Sequence, residues 1–205
     1  MQGPLWVCDT ITDIMTLEAY DKMMTKTIRE MERGDAMPKI AAEAIRMIKQ
    51  RVQQTGTNAK GSKYAPYATN KMLTNCSTMT LSACSKIAGS KEKRKELDWV
   101  TINGHRLFNL PGGYKQFREL HGRQTNFVDF SFTNAMWNDI NVISKESDHK
   151  RGVAIIGAKQ EIEKKKLSGN TKRRGDILDL SPKEINELYE LYNLNSIQIF
   201  RHNGL

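Results

Sequence analysis

Histidine and cysteine side chains are the first candidates for chemistry in this chain, because they supply many metal ligands and nucleophiles in proteins. The four histidines are far apart and share no i, i+4 spacing: His105, His121, His149 and His202. His105, Asn126 and His149 could be compared with a His-Asn-His nuclease, but the metal-binding framework of such an enzyme is absent from the sequence. We therefore predict neither a metal site nor a nuclease.

The three cysteines, Cys8, Cys76 and Cys84, form an odd set without a CxxC spacing. Such a set indicates neither a disulfide framework nor a zinc site. A nucleophile at Cys76 or Cys84 lacks a basic partner that spacing would identify, so ordinary burial is the expectation. This cysteine content is most typical of a reducing cytoplasm.

The glycine-rich segment 55–67 is the remaining candidate, because glycine loops can bind phosphate. No Gly-Lys-Ser or Gly-Lys-Thr motif opens a helix directly after a strand here. The segment ends in Tyr64-Ala65-Pro66-Tyr67 and is predicted to form a turn followed by an extended arm. With no catalytic constellation, we predict that the protein is not an enzyme and uses no cofactor.

Positive charge is the clearest compositional signal. The 205 residues include 32 Lys and Arg against 23 Asp and Glu, which gives a net charge of +9. Basic residues cluster at 91–95, 164–166 and 172–174. Such clusters are usually solvated faces, but they could also bind DNA phosphates, so a small basic nucleic-acid-binding protein is the alternative function. No apolar run is long enough for a membrane span, and the first residues do not resemble a signal peptide.

The stretch from Gly112 to Trp137 has the strongest pattern among the elements that would position these residues. Gly112 and Gly113 predict a bend, and Gly122 predicts a helix end. Between them, apolar residues recur every third position on one helical face: Tyr114, Phe117 and Leu120.

The second half of this stretch predicts a strand and then a helix. Val128, Phe130 and Phe132 alternate with polar residues, which is typical of a half-buried strand. Thr133 or Asn134 could cap a helix with an apolar face formed by Met136, Trp137 and Ile140. We expect six residues of the whole stretch to define the fold: Gly113, Tyr114, Phe117, Phe130, Phe132 and Trp137.

The N-terminal half predicts two helices, a polar insertion and a hairpin. One helix runs from Leu17 to about Gly34, and a second, with Pro38 in its first turn, ends near Val52. The predicted apolar face of the second helix is Ile40, Ala41, Ala44, Ile45, Ile48 and Val52. Residues 68–98 are rich in small polar and charged residues and are predicted to be an inserted loop or a short helical excursion that orders on assembly. Asn103-Gly104 between two apolar runs predicts a β-hairpin.

The C-terminal half predicts a strand and two helices. The strand covers residues 151–157, and the first helix covers 158–167 before a break at Ser168-Gly169-Asn170. Ser181, Pro182 and Glu184 form a capping-box signature for the last helix. Residues 196–200 could then form an edge strand or a docking arm.

Taken in order, these pieces resemble the tail-completion and neck proteins of tailed bacteriophages, a virion morphogenesis family that forms rings between portal and tail. The resemblance covers about residues 36–194. It rests on the arm 64–67, the segment Gly113-Tyr114-Lys115-Gln116-Phe117-Arg118, the pattern 128–133, the strand ending at Gly157, and Arg173-Arg174-Gly175-Asp176 before the last helix. The insertion 68–98 and the methionine-rich helical extension within residues 1–34 depart from the family pattern.

The resemblance implies a single α+β structural domain, with a small antiparallel sheet packed against a long helix and extended loops and arms for ring assembly. It implies no catalysis, a location in the virion, and contacts with other copies of itself and with portal, adaptor or tail proteins. The ring could also touch passing genomic DNA. A head-to-tail ring joins two different patches, so each subunit should carry one basic and one acidic face. The long connections supply the expected subunit contacts: Lys60, Tyr64, Pro66, Tyr67, Lys165, Arg173, Arg174 and Asp176.

Overall fold

The computed structural model describes residues 17–32, 36–147 and 152–203 and has the predicted α+β class. The described helices are α1 (Leu17–Glu32), α2 (Ala36–Thr55), α3 (Leu81–Ala88), α4 (Lys91–Glu96), α5 (Gly113–Leu120), α6 (Ala135–Asp139), α7 (Glu161–Arg174) and α8 (Pro182–His202). The described strands are β1 (Met72–Thr74), β2 (Trp99–Ile102), β3 (His105–Leu110), β4 (Ile140–Ser147) and β5 (Gly152–Ala158). The sequence also allows a short extended segment around residues 5–7, which lies outside the described residues.

Helix α2 organises the larger region of the molecule, which we call the main lobe: α1, α2, α6, α7, α8, β4 and β5. One face of α2 packs against α8 and the β4–β5 hairpin. The residues that bury this face confirm the predicted stripe: Ala41, Ala44, Ile48 and Val52. The core continues through the 64–67 arm and the 121–134 loop to Trp137, which is almost fully buried.

Residues 68–120 form a second region, which we call the small lobe. Its antiparallel sheet has the order β1-β3-β2 and packs Phe108 and Leu110 against Phe117 of α5. The β2–β3 hairpin confirms the prediction, because Asn103 and Gly104 both have positive φ, 50° and 76°, as the tight two-residue turn requires.

The bend at Gly113 is the place where no side chain fits. Gly113 has a φ of 61°, and an added Cβ would overlap the carbonyl oxygen of Asn70. The close approach lets the backbone N–H of Lys115 donate to the carbonyl of Ala68 at 3.1 Å. Helix α5 therefore begins against the chain that leads into β1, as the glycine pair predicted.

The cysteine prediction was wrong. Cys76 and Cys84 form a disulfide across eight positions, with their Cα atoms 5.2 Å apart. The bridge joins a 3-10 turn (Cys76–Thr78) to α3 within the segment predicted as an insertion. Residues 68–98 contribute a strand, this turn and two helices to the small lobe. Cysteine content consequently gives no support to a reducing compartment.

The strand predicted at Val128–Thr133 was also wrong, because this segment is an irregular loop. The predicted alternation of buried and exposed side chains fails at Asp129. A half-exposed strand would point Asp129 toward water, whereas both Asp129 and its neighbour Val128 are buried. Phe130 has a φ of 51°, which a strand cannot contain. The helix after it is short, since α6 ends at Asp139 and Ile140 begins β4, a strand that the sequence did not predict.

Two C-terminal boundaries differ from the sequence prediction. Helix α7 continues through the predicted break at 168–170, where its Asn170 side chain contacts Met136 Sδ at 3.8 Å and packing outweighs weak helix propensity. Helix α8 begins with the predicted capping box of Ser181 and Glu184. It then runs through residues 196–200, so neither an edge strand nor a separate arm exists there. None of the described helices is both long and apolar enough to cross a membrane.

Candidate functional site

A pocket of about 610 Å³ lies where α5, the 121–134 loop, α6 and α7 meet, and it is the candidate functional site. Four aromatic residues line it: Tyr67, Tyr114, Phe130 and Phe132. Three basic residues of α7 line it as well: Lys166, Arg173 and Arg174. We call it the basic aromatic pocket. Three predicted fold-defining aromatics and three predicted contact residues therefore share one concave surface: Tyr114, Phe130, Phe132, Tyr67, Arg173 and Arg174.

A buried ion pair supports one wall of the pocket. Arg118 of α5 is 1% exposed, and its Nη2 donates to both carboxylate oxygens of Asp129 at 3.1 Å. The same carboxylate accepts from Tyr67 Oη at 2.7 Å and from Gln124 Nε2 at 2.9 Å. A buried charge pair needs such complete hydrogen bonding, because one left unpaired is costly. This network links the small lobe to the main lobe.

Tyr67 is a hydrogen-bond donor in this network. Burial raises the pKa of its hydroxyl well above the ordinary value of 10, so the phenol remains protonated at neutral pH. The Arg118 guanidinium lies 4.4 Å from the centre of the Tyr67 ring, a cation–π distance. Tyr67 therefore contacts both members of the ion pair, Asp129 through its hydroxyl and Arg118 through its ring.

The other predicted fold-defining residues stand behind the pocket walls. Trp137 Nε1 donates to the carbonyl of Asp129 at 2.9 Å. Phe117 stacks between Tyr114 and Phe132, with ring centres 6.0 and 5.4 Å away. The sequence thus identified the aromatic walls, although it assigned two of them to a strand.

Helix α7 supplies the basic side of the pocket and, among the described residues, the one acidic side chain that lines it. The Glu163 side chain is buried, and its Oε1 accepts from Lys166 Nζ at 2.7 Å. Its Oε2 is buried without a hydrogen-bond partner among the described residues. Arg174 donates to the carbonyls of Ala65 and Pro66 and so fixes the arm that carries Tyr67.

The predicted subunit-contact residues fall into two groups. Tyr64 and Tyr67 are both 6% exposed, because their side chains pack within this chain. The others remain at the surface or at the pocket and stay predicted contacts: Lys60, Pro66, Lys165, Arg173, Arg174 and Asp176.

A second surface runs along α8. Ile185, Tyr189 and Tyr192 follow at i, i+4 and i+7 and are 51%, 66% and 36% exposed, so they form one stripe. Leu188 lies on the buried side of the helix and packs with residues of α2. We call the three exposed residues the tyrosine face of α8.

Charge differs between α7 and α8. Between Lys183 and Arg201, α8 carries no basic residue, whereas Glu187 and Glu190 are exposed there. Helix α7 carries six basic residues: Lys164, Lys165, Lys166, Lys172, Arg173 and Arg174. The chain therefore presents a basic surface and an acidic one on different helices.

The remaining candidates offer less. A cavity of about 420 Å³ in the small lobe contains Lys86 and Lys93, but their ammonium groups already donate to the backbone carbonyls of Leu120 and Lys86. Burial lowers the pKa of His121, which packs against Phe117 and Phe132. His149 lies outside the described residues, and among those described no cluster of three His, Cys, Asp or Glu side chains could hold a metal ion.

Comparisons with family models, with curated proteins and with solved structures find no match to this chain. Sequence analysis missed Arg118, Asp129 and Glu163. The available signal was an acidic residue inside an apolar run, at Asp129, with an arginine on the neighbouring aromatic helix.

Proposed function

We propose that the protein is a structural subunit of a bacteriophage virion that forms an oligomeric ring in the neck or tail, as a head–tail joining or tail-completion protein. The resemblance described above supplies the family, and the α+β architecture agrees with that class. The exposed tyrosine face of α8 is the single observation that carries the proposal. Large apolar side chains along a helix are unfavourable in water and typical of a surface that another chain covers.

The chemistry of the pocket also supports a structural role. Its titratable groups are engaged with one another: Arg118 with Asp129, Tyr67 with Asp129, and Lys166 with Glu163. These contacts hold the walls of the pocket in place.

The test is incorporation into virions. We expect the full-length protein to be found in purified particles and to form rings, visible by electron microscopy and native mass spectrometry, alone or with portal and tail proteins of the same phage. A protein that stays monomeric with these partners and is absent from particles contradicts the proposal.

Nucleic-acid binding is the second candidate, and α7 is the observation that favours it. Lys165, Lys172 and Arg173 are exposed and form no ion pair within the described part of the chain. The test is fluorescence anisotropy with labelled duplex and single-stranded DNA, comparing wild type with a variant in which Lys165, Lys172 and Arg173 are all replaced by Glu. Affinity that falls steeply with salt and is lost in the variant supports this candidate. No binding at about 0.1 M salt removes it, because screening is only moderate there.

A further inference from the structure

From these two surfaces we infer that the basic aromatic pocket of one copy receives the tyrosine face of α8 from the next copy, which gives a head-to-tail subunit contact. This inference rests on the proposed ring function and names the surfaces that would build the ring.

The pocket is suited to a phenol. Tyr114, Phe130 and Phe132 line it, and aromatic rings favour edge or offset contacts with another ring. Arg173 also lines it and can lie over the face of an incoming ring. The buried Oε2 of Glu163 lacks a donor, and a phenol hydroxyl is a donor attached to an apolar body.

Helix α8 offers the matching group. Tyr189 and Tyr192 are three residues apart, so their side chains lie next to each other on the helix surface. Neither hydroxyl has a hydrogen-bond partner among the described residues. Ile185 extends the same stripe by one turn toward the N-terminus of α8. One tyrosine can therefore enter the pocket while its neighbours cover the rim.

Charge complementarity selects a second copy as the occupant. Glu190 is exposed next to Tyr189 and forms no ion pair in the described structure, and the rim of the pocket carries Arg173 with Lys165 and Lys172 nearby on α7. An acidic helix against a basic rim favours this pairing and disfavours contact of either surface with itself.

The two surfaces are on different parts of the main lobe. Helix α8 packs on α1 and α2, whereas α7 packs on α6 and β5. A contact between two different patches leaves one of each open after every addition, so copies continue to add until a ring closes. A two-fold dimer would instead join one patch to itself.

Four variants of the full-length chain test the contact. Arg173→Glu changes the pocket, and Tyr189→Ser with Tyr192→Ser changes the face. Arg174 is left intact, because it also holds the 65–66 backbone. Two matched controls lie in the small lobe: Lys95→Glu for the charge reversal, and Leu81→Ser for the loss of an apolar surface, since Leu81 is 90% exposed.

Analytical ultracentrifugation should show that the pocket and face variants associate at least about tenfold more weakly than wild type, as for central residues of an interface. Their circular dichroism and melting should stay unchanged, and both controls should associate as wild type does. A mixture of the pocket variant with the face variant contains one intact surface of each kind. It should form dimers that do not grow further, which a two-fold contact does not predict.

A photo-crosslinking residue at position 189 maps the contact directly. We expect crosslinks to the pocket of a second copy, identified by mass spectrometry in concentrated protein and in purified particles. If wild type assembles but the variants assemble equally well, or if the crosslinks reach residues 1–16 or another protein, the inferred contact is contradicted. The proposed ring function is not contradicted by that result. If wild type neither assembles nor enters particles, the proposed function itself fails.

Discussion

The main lobe and the small lobe are stabilised by different means. The main lobe buries Trp137 in a cluster with Ile48 and Val52 of α2, and the hydrogen-bonded Arg118–Asp129 pair joins this core to the small lobe. The small lobe has only Phe108, Leu110 and Phe117 as its buried cluster, together with one disulfide. A region with a small core gains from a covalent link, because the link reduces the entropy of the unfolded chain. The polar segment 68–98 is therefore part of a folded lobe and carries the disulfide that stabilises it.

The largest expected effect is the loss of the main-lobe tryptophan. Trp137→Ala should lower the free energy of unfolding by about 3–5 kcal/mol, because it leaves a large cavity and an unpaired carbonyl at Asp129. The matched control is Trp99→Ala in the small lobe, since Trp99 is only half-buried against Phe108. Urea unfolding measures both variants, and equal losses would contradict the ranking of the two cores.

The ion pair that joins the lobes should come next. Arg118→Met removes the partner of a buried carboxylate and should cost about 3 kcal/mol, near the lower end for a broken buried pair. Adding Asp129→Asn should recover part of that loss, because no uncompensated charge then remains. Urea unfolding of the double-mutant cycle measures the coupling. Additive losses would show that the pair does not act as a unit.

Removal of the disulfide should affect the small lobe alone. Cys76→Ser with Cys84→Ser should cost about 2–3 kcal/mol, as expected for a short loop. Hydrogen exchange should show lost protection in β1, β2 and β3, while α2 and α8 keep theirs. Cys8→Ser is the control, and we expect it to leave the exchange of the small lobe unchanged. Equal loss of protection in both lobes would mean that they unfold together.

Local signals predicted several elements of both lobes. The stripe of α2, the Asn103-Gly104 hairpin, the glycine bend before α5 and the capping box of α8 each depend on neighbours within a few residues. Such features are visible in sequence because backbone geometry and short-range hydrogen bonds decide them.

Long-range contacts decided what the sequence did not predict. Asp129 is buried because Tyr67 and Arg118, which are 62 and 11 positions away, supply its hydrogen bonds. No periodicity reports such partners. Helix α7 continues through Gly169, and the side chain of Asn170 beside it contacts Met136, 34 positions earlier. Local spacing identified the aromatic residues that line the pocket. Only the fold shows that the basic residues of α7 lie beside them.

The smallest expected effect concerns pH and the start of α8. Burial alone would raise the pKa of Glu184, but hydrogen bonds from Ser181 and the Arg51 guanidinium outweigh it and hold the pKa below its ordinary value of 4.5. A lowered pKa in the folded state stabilises the protein above the pKa of the unfolded state, and this stabilisation is lost as the pH falls through the folded value. Glu184→Gln should therefore cost roughly 1 kcal/mol at neutral pH, the usual net contribution of one hydrogen bond.

The pH dependence separates the charge of Glu184 from the shape of the cap. Glutamine can still accept from the backbone of Ser181, so only the ion pair with Arg51, 2.9 Å away in wild type, is removed. The stability difference between wild type and Glu184→Gln should shrink as the pH falls below about 4.5, where thermal melting can follow it. Glu43→Gln is the matched control, because Glu43 pairs with Arg46 at the surface and solvent screens that pair. A difference for Glu184→Gln that stays constant with pH would assign the effect to packing, and α8 would then be held on α2 without help from charge.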